Sequence, residues 1–293
     1  MKIILAYISV VLLWSTTPLA IKYSSEGAGF LFSATARMSI GLFCLLLLLA
    51  ITRQCLVWHK RAIYTYLAVA LQIYGSMLAV YWSAQFIPSG WVSLIAGLMP
   101  LMTALLAALL LAERSLSMGK VLSYLLGFCG LIAMFGSALE LGRNAVLGVG
   151  GMLLAVFLQS LSSIWVKQAN AQLPALIQVT GGLFIALPTY FITWRLFDNH
   201  IPMTMPVITA ASILYLGIIA TTIGFSFYYF LLTHLPATRV ALISLIAPPL
   251  ALFLGHALNH EPITLNIIIG ALFIFAALII HDFFDVLFSR KRV

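Results

Sequence analysis

Residues 88–113 read PSGWVSLIAGLMPLMTALLAALLLAE, from Pro88 to Glu113. Residues 236–261 read PATRVALISLIAPPLALFLGHALNHE. Shifted by 148 without a gap, Pro88 falls on Pro236, Pro100 on Pro248 and Glu113 on Glu261. Val92, Leu94, Ile95, Leu106 and Leu110 likewise fall on Val240, Leu242, Ile243, Leu254 and Leu258. Apolar matches carry little weight in an apolar chain. Two prolines and one of only seven acidic residues in register carry a great deal. The sequence therefore reads as two copies of one half, and that repeat decides the architecture.

Composition sets the solvent. Hydrophobic residues make up 63% of the chain and charged residues 8%, against about 25% charged in a soluble domain. Such a chain cannot cover a water-facing surface, so a soluble core is excluded and a lipid bilayer is the expected partner. The net charge of +8 would suggest nucleic acid in a soluble protein. Here it fits the excess of cytoplasmic Lys and Arg in membrane proteins, and no nucleic-acid motif accompanies it. Cys44, Cys55 and Cys129 form no CxxC pair and read as small core residues rather than a disulfide framework. The start of the chain, Lys2 and then an apolar run to Ile21, resembles a signal peptide. It is long enough to span, at about 1.5 Å per residue against a core of ~30 Å, and the repeat needs it as a helix.

Charge-free runs predict ten helices, at about 3–22, 30–52, 62–86, 90–112, 119–139, 146–168, 174–195, 207–232, 238–258 and 264–286. The uncharged run from Ala62 to Ala112 exceeds one bilayer thickness, so Ile87-Pro88-Ser89-Gly90 must turn it, as Leu235-Pro236-Ala237 must turn its counterpart. A cytoplasmic N-terminus puts eleven Lys and Arg on that side and three on the other, with Arg37 inside a span and uncounted; both termini are then cytoplasmic. The expected organisation is a first repeat over 3–139, a second over 146–286 and a basic tail over 287–293. Five helices per repeat is odd, so the second copy enters from the opposite side. Glu113 then lies at the cytoplasmic end of the fourth helix and Glu261 at the outer end of the ninth. Inverted repeats of this kind are a recurring plan of secondary transporters, whose halves exchange conformations to alternate access. Ala20-Ile21-Lys22 echoes Trp165-Val166-Lys167 at an offset of 145, consistent with a small loop change between the halves.

These features resemble the EamA family of the drug/metabolite transporter superfamily, over nearly the whole chain. The first helix carries Trp14-Ser15-Thr16-Thr17-Pro18 and ends at Lys22; the second carries Arg37 early; the fourth and ninth give proline, an apolar run, a second proline and a glutamate. Gly270 follows Glu261 by nine residues, as in the family, whereas the first half has Leu122 at the matching place and Gly127 and Gly130 later. Ser15 stands where glycine is common. The resemblance implies an all-α integral membrane protein of ten helices, a central cavity between the halves, transport of small organic molecules and a bacterial inner membrane. Amino acids or related amphipathic metabolites, moved outward, are the expected substrates. Organic cations and sugar phosphates, carried elsewhere in the superfamily, are alternatives, because a fold does not name a substrate.

The candidate cavity residues follow from membrane physics. Pro18, Pro100 and Pro248 (with Pro249 beside it) interrupt helices and free carbonyls, which at membrane depth must meet protein or a wet cavity; packing kinks are the plainer reading. Trp14 and Pro18 share a helix face. Tyr74 and Tyr81, seven apart, are expected to share another, near Trp82, and Tyr215 and Thr222 a third, followed by Phe225, Tyr228 and Tyr229. Gln159, Ser160, Ser162 and Ser163 cluster in the sixth helix. Buried polar groups in a membrane face the bundle or a cavity. Aromatic walls with a few hydroxyl and amide groups suit a neutral amino acid or an organic cation, although belts at the interface and helix-packing polar groups have the same composition. Arg37, the one permanent charge deep in a span, either meets a substrate carboxylate or closes a gate, or else pairs with carbonyls or Glu26. Lys22, Glu113, Lys167 and Glu261 are expected at the helix ends as gating or capping residues.

No cofactor, metal or catalytic residue is expected. His256 and His260, four apart, have the spacing of a metal pair but no third ligand. With Glu261 they are also the sole basis for the alternative of a membrane enzyme acting on a lipid-linked substrate. There is no Walker motif, and no Asp or Glu at mid-membrane to carry a coupling proton. Monomer and homodimer both remain open.

Overall fold

The computed structural model describes residues 2–110, 118–235, 240 and 243–288. Those residues form ten helices close to the spans read from sequence. They are α1 (Lys2–Ser25), α2 (Phe30–Thr52), α3 (Lys60–Ser83), α4 (Ser89–Ala96 and Met99–Leu110), α5 (Met118–Leu141), α6 (Arg143–Ala169), α7 (Ala175–Phe197), α8 (Val207–His234), α9 (Ile243–Asn259) and α10 (Leu265–Phe288). Among the described residues, α1–α4 and α6–α8 are each long and apolar enough to cross a membrane, and α5, α9 and α10 hold shorter apolar stretches. Large apolar side chains such as Leu5, Phe43, Ile51, Phe128 and Leu272 are exposed around the bundle, which a water-soluble surface would not tolerate. The protein is a multi-pass integral membrane protein.

Helix packing carries the repeat into three dimensions. α1 packs on α9 and, in the mirrored relation, α6 packs on α4. α2 packs on α8 as α7 does on α3, and α1 on α8 as α6 does on α3. The remaining large pairings, α4 with α9, α2 with α7 and α5 with α10, each join a helix to its own counterpart. The halves therefore interlock, and each supplies the other's packing surface. Lipid tails do not drive apolar helices together, so close backbone approach must do so. Gly130 of α5 and Gly270 of α10 meet in this way. A Cβ on Gly130 would sit 2.8 Å from the Gly270 carbonyl oxygen, and one on Gly270 would sit 3.0 Å from the Gly130 oxygen. The glycine that follows Glu261 in the sequence pattern thus meets Gly130, not Leu122.

Three helices depart from regular α geometry where they pass the centre. α4 breaks between Ala96 and Met99, ahead of Pro100, whose missing N–H leaves the Ala96 carbonyl without its helical partner. α3 contains a π-helical turn over Leu71–Ser76, and α8 one over Tyr215–Gly224. Shifted by the repeat offset, residues 71–76 fall on 219–224, inside the second π segment. In α3 the Met77 N–H donates to the Gln72 carbonyl, five residues back. The Tyr190 hydroxyl of α7 donates to the neighbouring Ile73 carbonyl at 2.7 Å, and the Ser162 hydroxyl of α6 to the Ala68 carbonyl at 2.6 Å. Side chains of the second half thus satisfy carbonyls of an irregular helix in the first, as a membrane interior requires.

Two expectations need correction. Of the cysteines read as core residues, only Cys44 is partly buried; Cys55, in the α2–α3 link, and Cys129 are exposed. His256 and His260 do not face one way, because α9 ends at Asn259 and His260 turns to a φ of 50°. Glu113, the Pro236 turn and the residues of the basic tail beyond Phe288 lie outside the described residues.

The glycine contact gives a direct test. Gly130→Leu should push α5 off α10 and lower stability by about 1–3 kcal/mol, the usual cost of overpacking, while Gly136→Leu, where an added Cβ meets nothing within 4 Å, should be near neutral. Thermal melts of the two variants in detergent would show the difference, and equal melting temperatures would contradict the close approach.

Candidate functional site

A cavity, open along part of its surface, lies between the two halves. α1 contributes Trp14, Thr17, Pro18 and Ile21; α2, α3 and α4 contribute Arg37, Gln72 and Ser93; α6, α8 and α9 contribute Gln159, Phe225 and Pro248. Most of the remaining lining is apolar. Pro18 of α1, the break of α4 ahead of Pro100 and Pro248 of α9 all lie at or beside this space.

The aromatic wall is layered. Trp14 lines the cavity, and Tyr228 lies behind it with ring centroids 5.1 Å apart. Tyr228 is held by Ser163, hydroxyl to hydroxyl at 3.3 Å, and meets Tyr229 edge-on at 5.3 Å. The Tyr229 hydroxyl donates to Gln72 Oε1 at 2.8 Å. Gln72 therefore presents its amide nitrogen, Nε2, which has no hydrogen-bond acceptor. Opposite, Arg37 is only 2% exposed. Its Nε donates to Thr221 Oγ1 at 2.9 Å, its guanidinium carbon lies 5.9 Å from the Tyr81 ring centroid, and its Nη1 has no acceptor. The Glu26 pairing considered for Arg37 is not formed; Thr221, in the π segment of α8, takes that place. The offset that sets Lys22 on Lys167 sets Arg37 on Gly182, so the charge belongs to one half alone.

Several expected residues stand behind the lining or away from it. Tyr74 hydrogen-bonds Thr193 at 2.6 Å and packs edge-on against Tyr190 of α7. Tyr81 is fully buried beneath Arg37, and Trp82 packs on Phe86. Tyr215 bonds Thr16 at 2.6 Å, and Thr222 donates back to the Gly217 carbonyl at 3.1 Å. The seven-residue spacings assumed α geometry, and the π turns shift the register by a residue. Pro100 is buried beside the lining residues Gly97 and Met99. Gln72, Ser93 and the methionines Met77, Met99 and Met152 were missed. Gln72 alone had a visible signal, an amide in a long uncharged run.

Past the cavity, at the end of the bundle remote from the N-terminus, Glu261 ties three helices together. Ile21 and Ser93 line the cavity next to this point. α4 begins after Pro88, which has no side chain able to cap it. Glu261, 7% exposed, supplies the cap from across the bundle. Its Oε1 accepts from the Ser89 N–H at 2.9 Å, Asn259 Nδ2 at 3.0 Å and Lys22 Nζ at 3.3 Å. Its Oε2 accepts from Ser89 Oγ at 2.9 Å and the Gly90 N–H at 3.2 Å. A carboxylate at a helix N-terminus also meets the positive end of the helix dipole. His256 Nδ1 contacts the Glu261 carbonyl at 2.9 Å, which makes it part of this frame. Among the described residues no three His, Cys, Asp or Glu side chains come together. Lys167 lies exposed at the opposite end of the bundle.

Comparison with known proteins agrees with this architecture. The model of the EamA-like transporter family matches residues 1–136 and again 146–281. The chain belongs to that family. It is a family of transporters, not enzymes, so the lipid-enzyme alternative falls. This EamA-like transporter is 26% identical to "Uncharacterized transporter YoaV" of Bacillus subtilis (strain 168), over 100% of this chain and 99% of that one. It is 27% identical to a "Probable amino-acid metabolite efflux pump" of Escherichia coli (strain K12), over 67% and 68% of the two chains. A crystal structure 20% identical in sequence superposes with a TM-score of 0.68, covering 99% of this chain and 98% of the other; it shows the shared fold.

The Glu261 contacts have a pH signature. Glu261 lies in the link between α9 and α10. Burial pushes its carboxyl up, but the hydrogen bonds from Ser89, Asn259 and Gly90 and the Lys22 charge outweigh burial and hold it below the ordinary range. Its contribution is therefore complete above the ordinary carboxylate pKa and is lost as pH falls through the depressed value. Glu261→Gln should cost about 2 kcal/mol at neutral pH, since hydrogen bonds to a charged group are the strong ones. The cost should shrink as pH drops from about 6 to about 3. Melting curves across that range check it; a pH-independent difference between the two proteins would refute the assignment.

Proposed function

We propose that this chain is a secondary exporter that moves amino acids or related amphipathic metabolites by alternating access. The observation that carries the reading is the cavity at the boundary between two inverted halves, lined by both. Its layered aromatic wall and sparse polar groups suit a solute with an apolar body and a polar head. The efflux pumps among its relatives, named for amino-acid metabolites, support the substrate class and the direction. The excess of Lys and Arg on the N-terminal side supports an inner-membrane orientation with both termini cytoplasmic.

Gating follows from the repeat. The Lys22–Glu261–Ser89 latch holds the outer mouth, and the repeat, which sets Glu113 on Glu261 and Lys167 on Lys22, assigns Glu113 and Lys167 the corresponding role at the inner mouth. Each latch must break for its mouth to open, so the two carboxylates bias access in opposite directions.

Counterflow in proteoliposomes tests the reading. A labelled amino acid or amino-acid derivative should accumulate against unlabelled solute without ATP. Glu261→Gln and Glu113→Gln should each slow exchange about tenfold or more, because either leaves one mouth unable to close stably. Full exchange in both variants would remove the gating scheme. Folded protein that moves none of these solutes would remove the exporter reading.

A further inference from the structure

The cavity is unbalanced in charge. Among its described lining residues Arg37 is the one with a formal charge, and no carboxylate accompanies it. Arg37 is 98% inaccessible and Gln72 99%. Each has spent one polar contact inside the protein, Arg37 Nε on Thr221 and Gln72 Oε1 on Tyr229. Each keeps a donor with no acceptor, Arg37 Nη1 and Gln72 Nε2. A buried donor left unpaired is costly, and a buried cation without a counter-ion more so. Such a group calls for a completing partner, and beside a cavity a bound solute can supply it. Two donors, one cationic, are the complement of a carboxylate, which guanidinium binds with two oxygens.

We propose that the transported solute is a net anion: a carboxylate with an apolar body and no ammonium group, such as a 2-oxo acid or an N-acylated amino acid. This deepens the exporter reading and rests on it. A zwitterion would bring an ammonium into a cavity with no carboxylate to receive it, next to a guanidinium that repels it. A quaternary cation would meet the repulsion alone, which disfavours the organic-cation alternative. The rest of the lining suits the apolar body, with Trp14, Phe225 and the methionines around it. The charge sits on one half, since Gly182 occupies the related place in the other. An anion leaving a cell whose interior is negative moves down the electrical gradient. Export then needs no coupling ion, which accords with a sequence whose acidic residues stand at the helix ends and links rather than mid-span.

The test uses skeleton-matched solutes in proteoliposomes of the full chain. For the leucine and phenylalanine skeletons, the 2-oxo acid, the N-acetyl amino acid, the free amino acid and the corresponding trimethylammonium compound are compared by counterflow. An anion of at least one skeleton should exchange about tenfold faster than its amino acid, a difference of ~1.4 kcal/mol, with no uptake of the cation. An interior-positive potassium–valinomycin potential should accelerate uptake of the anion. Arg37→Gln should erase the preference. Gln72→Leu should weaken apparent affinity for the anion and keep the voltage response. Arg37→Lys keeps the charge and should keep the preference, which serves if the glutamine variant does not fold. Amino acids moving as fast as their oxo and acetyl counterparts, or a preference that survives Arg37→Gln, would overturn the proposal and leave the exporter reading standing. Silence across the whole panel from folded protein would bring down the exporter reading, and this one with it.

Discussion

One carboxylate at the start of one helix organises one end of this molecule. α4 begins at a proline turn with unpaired N–H groups and no local cap, in a place poor in water. Glu261, in the link just after α9, accepts two of those N–H groups along with Ser89 Oγ, Asn259 and Lys22. Neither partner is comfortable alone. The helix end needs an acceptor, and the buried carboxylate needs donors. Their union fixes α1, α4 and α9, three helices that bound the cavity. The arrangement is also easy to lose as a unit, because withdrawal of one carboxylate removes five contacts together. That is a suitable property for a gate, and the repeat supplies the same parts, Pro236, Glu113 and Lys167, for the opposite end.

The paired π segments are the second constraint. Each lies in the third helix of its half, at the level of the cavity, where the helix must present polar groups inward while packing tightly outward. A π turn leaves neighbouring carbonyls to be satisfied from other helices, and such turns are frequent at functional sites. Here Tyr190 and Ser162 take up that task in α3. The reward is placement: Gln72 sits within the turn of α3, and Thr221, the partner of Arg37, within that of α8. The same irregularity thus places Gln72 directly and Arg37 through its partner Thr221.

The helices, the inverted repeat and the family were legible because their signals are coarse: long uncharged runs, prolines at turns, and a rare acidic residue repeated in register. Glu261 was legible for the same reason. The cavity wall was only partly so. Trp14, Pro18, Arg37, Gln159, Phe225 and Pro248 line it, each a charged, amide, proline or aromatic residue in an otherwise aliphatic run. Tyr74, Trp82 and Tyr215 do not, because face assignments by seven-residue spacing fail across a π turn, and nothing in the side chains announces one. Met77, Met99 and Met152 could not be distinguished from lipid-facing residues, since a membrane protein is apolar on both its inner and outer surfaces. Gln72 was visible as an amide in an uncharged run, but its role became apparent only once Tyr229 was seen to occupy its oxygen.

The central claim is that the Glu261 latch closes one mouth of a cavity shared by two inverted halves. Access to a cysteine placed at Val92, in a variant with Cys44, Cys55 and Cys129 replaced, measures it most directly. A membrane-impermeant thiol reagent applied from the Glu261 side should label this position slowly, and Glu261→Gln should raise the rate about tenfold or more. Fast labelling with the latch intact, or no change on its removal, would contradict the account.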